Sequence, residues 1–383
     1  MAESNLNRII KTQFTPSGYS RPDGVPNGES IIANAPVIES GGVNYYPIYY
    51  ICAMDTVTGA TFSKTGDGVS TGADAYVFSD EPSTLYVGDT THTFDVADDF
   101  ATSEGWKCRY VIAYATEANK DDVNGITVNL YSYRATFEFI GSQYLKLSST
   151  SALFGSNSMS NSNQNLRYVN LSSSIFYDNT ISAANFCRFC CSLASISLPS
   201  VTTISTNYFC GSCYSLTSIS LPSLTTIAVT SSYFCGACYS LRSISLPSLT
   251  TVDGNSFCAN CYPLKRISLP SLITVTGTSF CVGCCYLEYF EIPSTITTLT
   301  NTSADTLNYI QFIGLPTNFD IDACNFTGIA GYTKSLAWFT HLAAQLKDNS
   351  GGTAKTMTLG ATNIALIPSA QATIISNKNW TIN

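Results

Sequence analysis

Between Phe186 and Pro293 the apolar positions recur with a fixed period. The segments FCRFCCSLASISLPSVTTI, FCGSCYSLTSISLPSLTTI, FCGACYSLRSISLPSLTTV, FCANCYPLKRISLPSLITV and FCVGCCYLEYFEIPSTITTL begin at Phe186, Phe209, Phe234, Phe257 and Phe280, in steps of 23, 25, 23 and 23 residues. Strand side chains alternate with period two, so Ile219 and Leu221 of Leu216-x-x-Ile219-x-Leu221 share one side, which is the core. Pro222 then removes an N–H donor and ends the strand, and Leu224 and Ile227 start the return path. Pro199, Pro247, Pro270 and Pro293 play the same part. One such coil cannot bury its apolar edge alone, so the pattern predicts stacked coils with strands about 4.8 Å apart in a parallel ladder.

Fainter coils extend the array. Leu166-x-x-Val169-x-Leu171 precedes the strong units, Leu145-x-Leu147 opens the series, and Leu307-x-x-Ile310-x-Phe312 continues it. Residues 332–347 change to helical spacing through Leu336, Phe339, Leu342 and Leu346. A last strand at Met357–Leu359, a short helix opened at Pro368 and a closing segment with Trp380 complete a cap over the end of the stack.

The N-terminal part has another pattern. Residues 1–43 are rich in Pro and Gly without a sustained apolar period and are expected to be extended or disordered, as a docking arm. VNYYPIYYICAM at 43–54 is strand-like, as are Ala75–Phe78, Thr84–Val87, Arg109–Ala115, Gly125–Tyr133 and Ala135–Phe139, which predicts a small antiparallel β domain. The expected organisation is an arm at 1–43, a β-rich attachment domain at 44–140, the coils at 141–330 and a helix and strand cap at 331–383.

A period in the twenties around Leu-x-x-Ile-x-Leu is the leucine-rich-repeat signature. The units resemble the BspA-type leucine-rich repeat, roughly Ala-Phe-x-x-Cys-x-x-Leu-x-x-Ile-x-Ile/Leu-Pro, over about residues 140–383. The family's Cys falls on Cys190, Cys213, Cys238, Cys261 and Cys284, its Ala-Phe is replaced by Phe-Cys as at Phe209-Cys210, and NKNWTIN resembles the end of such arrays in gut bacteria and their phages. The resemblance implies a mainly β solenoid and a secreted adhesion or binding role. The first twenty residues lack the apolar stretch of a secretory signal, so the chain as written is expected to start in a cytoplasm. That departure points to a phage virion fibre or spike-like component docking by its N-terminal region, with a bacterial surface adhesin as the alternative.

Charge sharpens this picture. Only 11% of residues are charged, against roughly 25% in ordinary soluble proteins, so the surface must be built from hydroxyls and amides. Residues 1–140 hold 8 Lys+Arg and 18 Asp+Glu while 141–383 hold 10 and 8, and neither part has the clustered cations that nucleic acid requires. No apolar run is long enough to cross a membrane.

Twelve of fifteen cysteines recur at repeat positions. The pairs Cys187/Cys190, Cys210/Cys213, Cys235/Cys238, Cys258/Cys261 and Cys281/Cys284 have zinc-ligand spacing, but five pairs do not partition into four-thiolate sites. A reduced packing ladder is the favoured reading over zinc or redox use. Asp95, Asp98 and Asp99 lack the spacing of a calcium loop. His92 and His341 stand in different regions, Asp121/Asp122 are adjacent on a turn, and GxSxG, Walker and HExxH motifs are absent, so neither enzyme chemistry nor a cofactor is expected.

The outward strand positions predict the binding face. Their centre is a sheet of serines, with Tyr168, Tyr289, Glu291 and Tyr309 toward the ends and Arg242, Lys265 and Arg266 with Glu288 at one corner, where a specific contact is expected. Tyr214, Tyr239 and Tyr262 form a column beside the inward Leu, either covering the coil edge or offering a stacking platform to sugars or partner side chains. The expected partners are virion proteins through the N-terminal region and host surface glycan or protein through the coils, with a homo-oligomer, a trimer by analogy with other fibres.

Overall fold

The computed structural model of the chain describes residues 26–55, 61–63, 73–88, 91–93, 100–101, 107–119, 136–147, 154, 166–171, 175–287, 289–291, 293–299, 312–315, 317, 319, 324–325, 336–359 and 361–383. The chain divides into two compact units, residues 1–201 with 213–221 and residues 202–212 with 222–383. The described residues are mainly β with short helices, a small antiparallel region preceding parallel ladders of leucine-rich-repeat type.

In the first unit the strand Val43–Asp55 is central, pairing antiparallel with Lys107–Thr116 on one edge and Thr136–Gly141 on the other. Ala75–Phe78 and then Glu81–Val87 extend the sheet beyond Lys107–Thr116. Residues Ile48 to Cys52 are all buried, so both faces of this strand are covered, and its sequence runs almost continuously apolar instead of alternating. One face packs Tyr50 with Ile32, Tyr114 and Ile140. On the other, Tyr49 stacks on Phe139 at 5.2 Å, Phe139 meets Phe154 at 5.0 Å, and Phe154 meets Phe186 of the first strong repeat at 6.3 Å.

Two expectations change here. The segment read as an extended arm holds a helix, Gly28–Asn34, whose N-cap Asn27 accepts from the Ser30 amide at 3.1 Å. It lies so close to the sheet that a Cβ on Gly28 would stand 2.2 Å from Tyr50 Cε1. A hairpin follows, with Ser40 paired to Val43 across Gly41 and Gly42, both at positive φ, as a two-residue turn requires. Residue 140 is also no break between sheets. The free edge of Thr136–Gly141 pairs parallel with Tyr168–Asn170, which pairs with Ser195–Ser197 and that with Ser218–Ser220. The antiparallel sheet becomes the parallel ladder at this one strand. Gly125–Tyr133 and most of the Leu307-x-x-Ile310-x-Phe312 coil lie outside the described residues.

In the second unit Ser243–Ser245, Arg266–Ser268, Tyr289–Glu291 and Phe312–Gly314 form a parallel ladder, with Ile244, Ile267, Phe290 and Ile313 in register. On the return path Thr203–Ile204, Thr226–Ile227, Thr251–Val252, Thr274–Val275 and Thr298–Leu299 form another. Between them Phe209, Phe234, Phe257 and Phe280 stack at 5.3, 5.4 and 4.9 Å.

Each coil bends twice through left-handed backbone. Tyr208, Tyr233, Ser256 and Ser279 have φ between 56° and 57°, and Ser212, Ala237 and Asn260 between 59° and 61°. A non-glycine there costs on the order of 1 kcal/mol. The bend turns its own amide onto the next coil: Tyr208 N donates to Ser232 O at 2.8 Å, Ser212 N to Gly236 O at 2.7 Å and Ala237 N to Ala259 O at 2.8 Å.

The cap has the elements its spacing predicts, the helix Leu336–Gln345, the strand Lys355–Thr358, the helix Ser369–Asn377 and the strand Trp380–Ile382. Lys378 Nζ donates to the carbonyls of Ala343, Ala344 and Leu346 at 2.9, 3.1 and 2.6 Å, placing a cation on the negative end of the first helix.

Candidate functional site

The repeat sorts its side chains by position. In the 234 coil Cys238, Leu241, Ile244 and Leu246 are buried, while Tyr239, Arg242, Ser243 and Ser245 are exposed. In the 257 coil Cys261, Leu264, Ile267 and Leu269 are buried, while Tyr262, Lys265, Arg266 and Ser268 are exposed.

The cysteines face inward. The ten in Cys-x-x-Cys pairs are all free thiols and buried. The second member of each pair donates to a carbonyl behind it. Cys213 Sγ reaches Cys187 O at 3.0 Å, Cys238 reaches Cys210 O at 3.2 Å, Cys261 reaches Cys235 O at 2.8 Å and Cys284 reaches Cys258 O at 3.0 Å. Cys190 Sγ points to Phe154 O at 3.6 Å. The accepting carbonyls of Cys187 and Cys258 already take an amide within their own turn, from Cys190 N at 3.1 Å and Cys261 N at 3.3 Å, and there the thiol satisfies the second lone pair. A small apolar side chain with one weak donor suits that place.

Burial pushes the thiols of Cys235, Cys238, Cys258 and Cys281 well above the ordinary range. Hydrogen bonding with Cys238 and Cys258 pulls Cys261 the other way, well below the ordinary range, and its Sγ lies 2.8 Å from the Cys235 carbonyl. In the four raised thiols burial disfavours the thiolate, the form that nucleophilic attack and zinc ligation both require. Among the described residues no group of three or more His, Cys, Asp or Glu is placed to hold a metal ion.

The two histidines sit in structural contacts. His92 is stacked on Phe78 at 4.0 Å and holds both Asp80 carboxylate oxygens at 2.9 Å, while His341 Nε2 accepts from the Leu315 amide at 2.8 Å.

The predicted binding residues separate into groups. Tyr168 donates to Glu29 Oε1 at 2.8 Å, and Asn170 Nδ2 donates to the same oxygen at 2.8 Å, so the helix Gly28–Asn34 reaches over this strand. Burial, then the bond to Glu29, pushes the Tyr168 hydroxyl up to about 12. Tyr214 is half-buried. Tyr239 and Tyr262, 46% and 45% exposed, stack on each other at 5.5 Å and 15°. Arg242, Lys265 and Arg266 are exposed together, joined through Lys265 N to Arg242 O at 2.9 Å and the Ser243/Arg266 register. Tyr289 and Glu291 lie on a strand paired with Arg266–Ser268 and Phe312–Gly314, their side chains outside the description, and Tyr309 is outside the described residues.

Sequence reasoning passed over Glu29, which carries no periodic signal. It also passed over Tyr208 and Tyr233, parallel within 4° at 4.9 Å, whose only trace is the recurring Tyr-Phe-Cys triplet.

Residues 179–310 match, in six copies, the family described as BspA type leucine rich repeat region. Two solved structures are similar to the chain. A leucine-rich repeat protein from Bacteroides ovatus ATCC 8483 is 17% identical over 59% of this chain, with a TM-score of 0.27, and the match spans 54% of that protein's length. A leucine rich cell surface protein from Faecalibacterium prausnitzii A2-165 is 15% identical over 59% of this chain and 86% of its own, with a TM-score of 0.23. No curated protein matches the chain significantly. By coil period, inward columns and family match, residues 179–310 are a BspA-type leucine-rich-repeat region.

Proposed function

We propose that the chain is a non-enzymatic surface-recognition protein of the adhesin kind, whose coils present a polar face to a glycan or protein and whose N-terminal sheet serves attachment or assembly. The observation that carries this reading is the sorting within each coil. In the 234 and 257 coils the thiols of Cys238 and Cys261 are buried and hydrogen-bonded to a carbonyl, while the outward positions are serines, tyrosines and a few cations. The match to BspA-type repeats supports it, since proteins of that kind are typically secreted or held on a cell surface. It also favours the adhesin over the virion fibre.

Antibody labelling of intact cells that express the gene, beside fractionation of any particles they release, tests the reading. Surface labelling that protease treatment removes is the expected result. Recovery of the chain in purified particles, with none on cells, would transfer the role to a virion component.

A further inference from the structure

Resting on that recognition reading, we infer that the corner formed by the 234 and 257 coils is a binding site for an acidic polysaccharide, one bearing sulfate or carboxylate groups. Arg242, Lys265 and Arg266 are three exposed cations on two adjacent coils, and among the described residues no carboxylate is bonded to any of them. The chain has only 18 Lys and Arg in all, so three of them exposed on two adjacent coils are a local concentration of positive charge, in the part of the chain, residues 141–383, that holds 10 Lys and Arg against 8 Asp and Glu.

The surroundings choose among anions. Beside the cations lie the exposed hydroxyls of Ser243, Ser245 and Ser268 in two in-register rows. The Tyr239 and Tyr262 rings, each about half exposed, stack on each other, so their facing sides are occupied. Such a face gives and accepts hydrogen bonds at intervals of about 4.8 Å, the coil spacing, which is also the length scale of one sugar residue along a polymer. The described outward side chains that form it, Arg242, Ser243, Ser245, Lys265, Arg266 and Ser268, are all polar, unlike the apolar anchors of a protein hot spot. Three cations are too few to hold nucleic acid, whose binding is built on many neutralised phosphates. A hydroxylated polymer with charge on successive sugars satisfies both rows at once, and repetition along the polymer supplies avidity to a weak single contact.

The test uses the full chain and immobilised dextran sulfate, polygalacturonate, unmodified dextran and polyglutamate. Retention on at least one of the two charged polysaccharides, and not on dextran, is expected. Added salt should release it, because exposed charges are screened beyond a Debye length of about 8–10 Å. Reversing all three cations, Arg242→Glu, Lys265→Glu and Arg266→Glu, should weaken retention by on the order of ten-fold or more with the unfolding midpoint unchanged. Lys347→Glu, also at an exposed residue, controls for one unit of charge reversal against Lys265→Glu alone and should leave retention as it was.

Equal retention on polyglutamate would overturn the sugar assignment in favour of any polyanion. Retention on unmodified dextran that survives the triple reversal would overturn the charged site while leaving glycan recognition standing. Surface display without retention on any of the four polymers would overturn the inference and leave the broader recognition reading to a protein partner.

Discussion

The N-terminal sheet and the coils of the second unit bury apolar surface by opposite means. In the sheet each contact is made once. Tyr49 stacks on Phe139, Tyr50 lies against Gly28, and the helix that covers this face is held by Asn27 and Glu29. In the coils one contact is made repeatedly, with Phe on Phe, thiol on carbonyl and Ile in register with Ile. Unique contacts give an irregular surface that a single helix can close, whereas repeated contacts leave a regular polar face open. The difference appears at the outward strand positions, where Tyr168 is tied to Glu29 but Ser243, Ser245 and Arg266 are exposed.

The largest effect expected on this comparison is in a coil interior. Leu241 is fully buried, and Leu241→Ala should cost about 2–5 kcal/mol in urea unfolding followed by circular dichroism. Ser243→Ala, two residues on, should stay within about 0.5 kcal/mol. Similar losses at the two positions would break the inward and outward assignment.

A smaller effect belongs to the unique contact. In Gly28→Ala the new Cβ must displace Tyr50 or lift the helix, for about 1–3 kcal/mol, since Ile140 Cδ1 stands 2.9 Å away on the same side. Hydrogen exchange should show the amides of Ser30 and Ile31 losing protection while those of Tyr233 and Ala237 keep theirs. Loss in both places would mean that helix and coils unfold as one.

The smallest effect is at Tyr168, whose hydroxyl is raised from 10.0 to about 12 by burial and by donating to Glu29. A raised acid keeps its proton in the fold, so the contact stabilises fully below pH 10 and that contribution is lost as pH climbs through about 12. The tyrosinate absorbance of the native protein minus that of Tyr168→Phe should therefore show a late titration. A difference curve centred at the ordinary value would show Tyr168 free of Glu29.

The same contrast explains what could be read from the sequence. Columns at Leu241, Ile244 and Cys238 were legible because five units repeat one constraint, and the cap was legible because Leu336 through Leu346 keep helical spacing. The helix Gly28–Asn34 was not, because seven residues are too few to display a 3.6 period and its hold on the sheet is a missing side chain at Gly28. The left-handed bends were hidden for another reason. Tyr, Ser, Ala and Asn occupy them, and of these only Asn advertises that backbone. The corner cations were visible in the sequence, but the stacking of Tyr239 on Tyr262 at 5.5 Å was not, because the pattern gives the column and not the tilt of its rings.

Thiol accessibility tests the central account most directly. The reduced native protein is labelled with a small alkylating reagent, and each cysteine is read by peptide mass spectrometry. The ten cysteines of the five pairs should stay unmodified until denaturant is added and then react together. Rapid labelling of Cys213, Cys238 or Cys261 in the native state, or recovery of the pairs as disulfides or with bound zinc, would contradict a dry interior of protonated thiols donating to neighbouring coils.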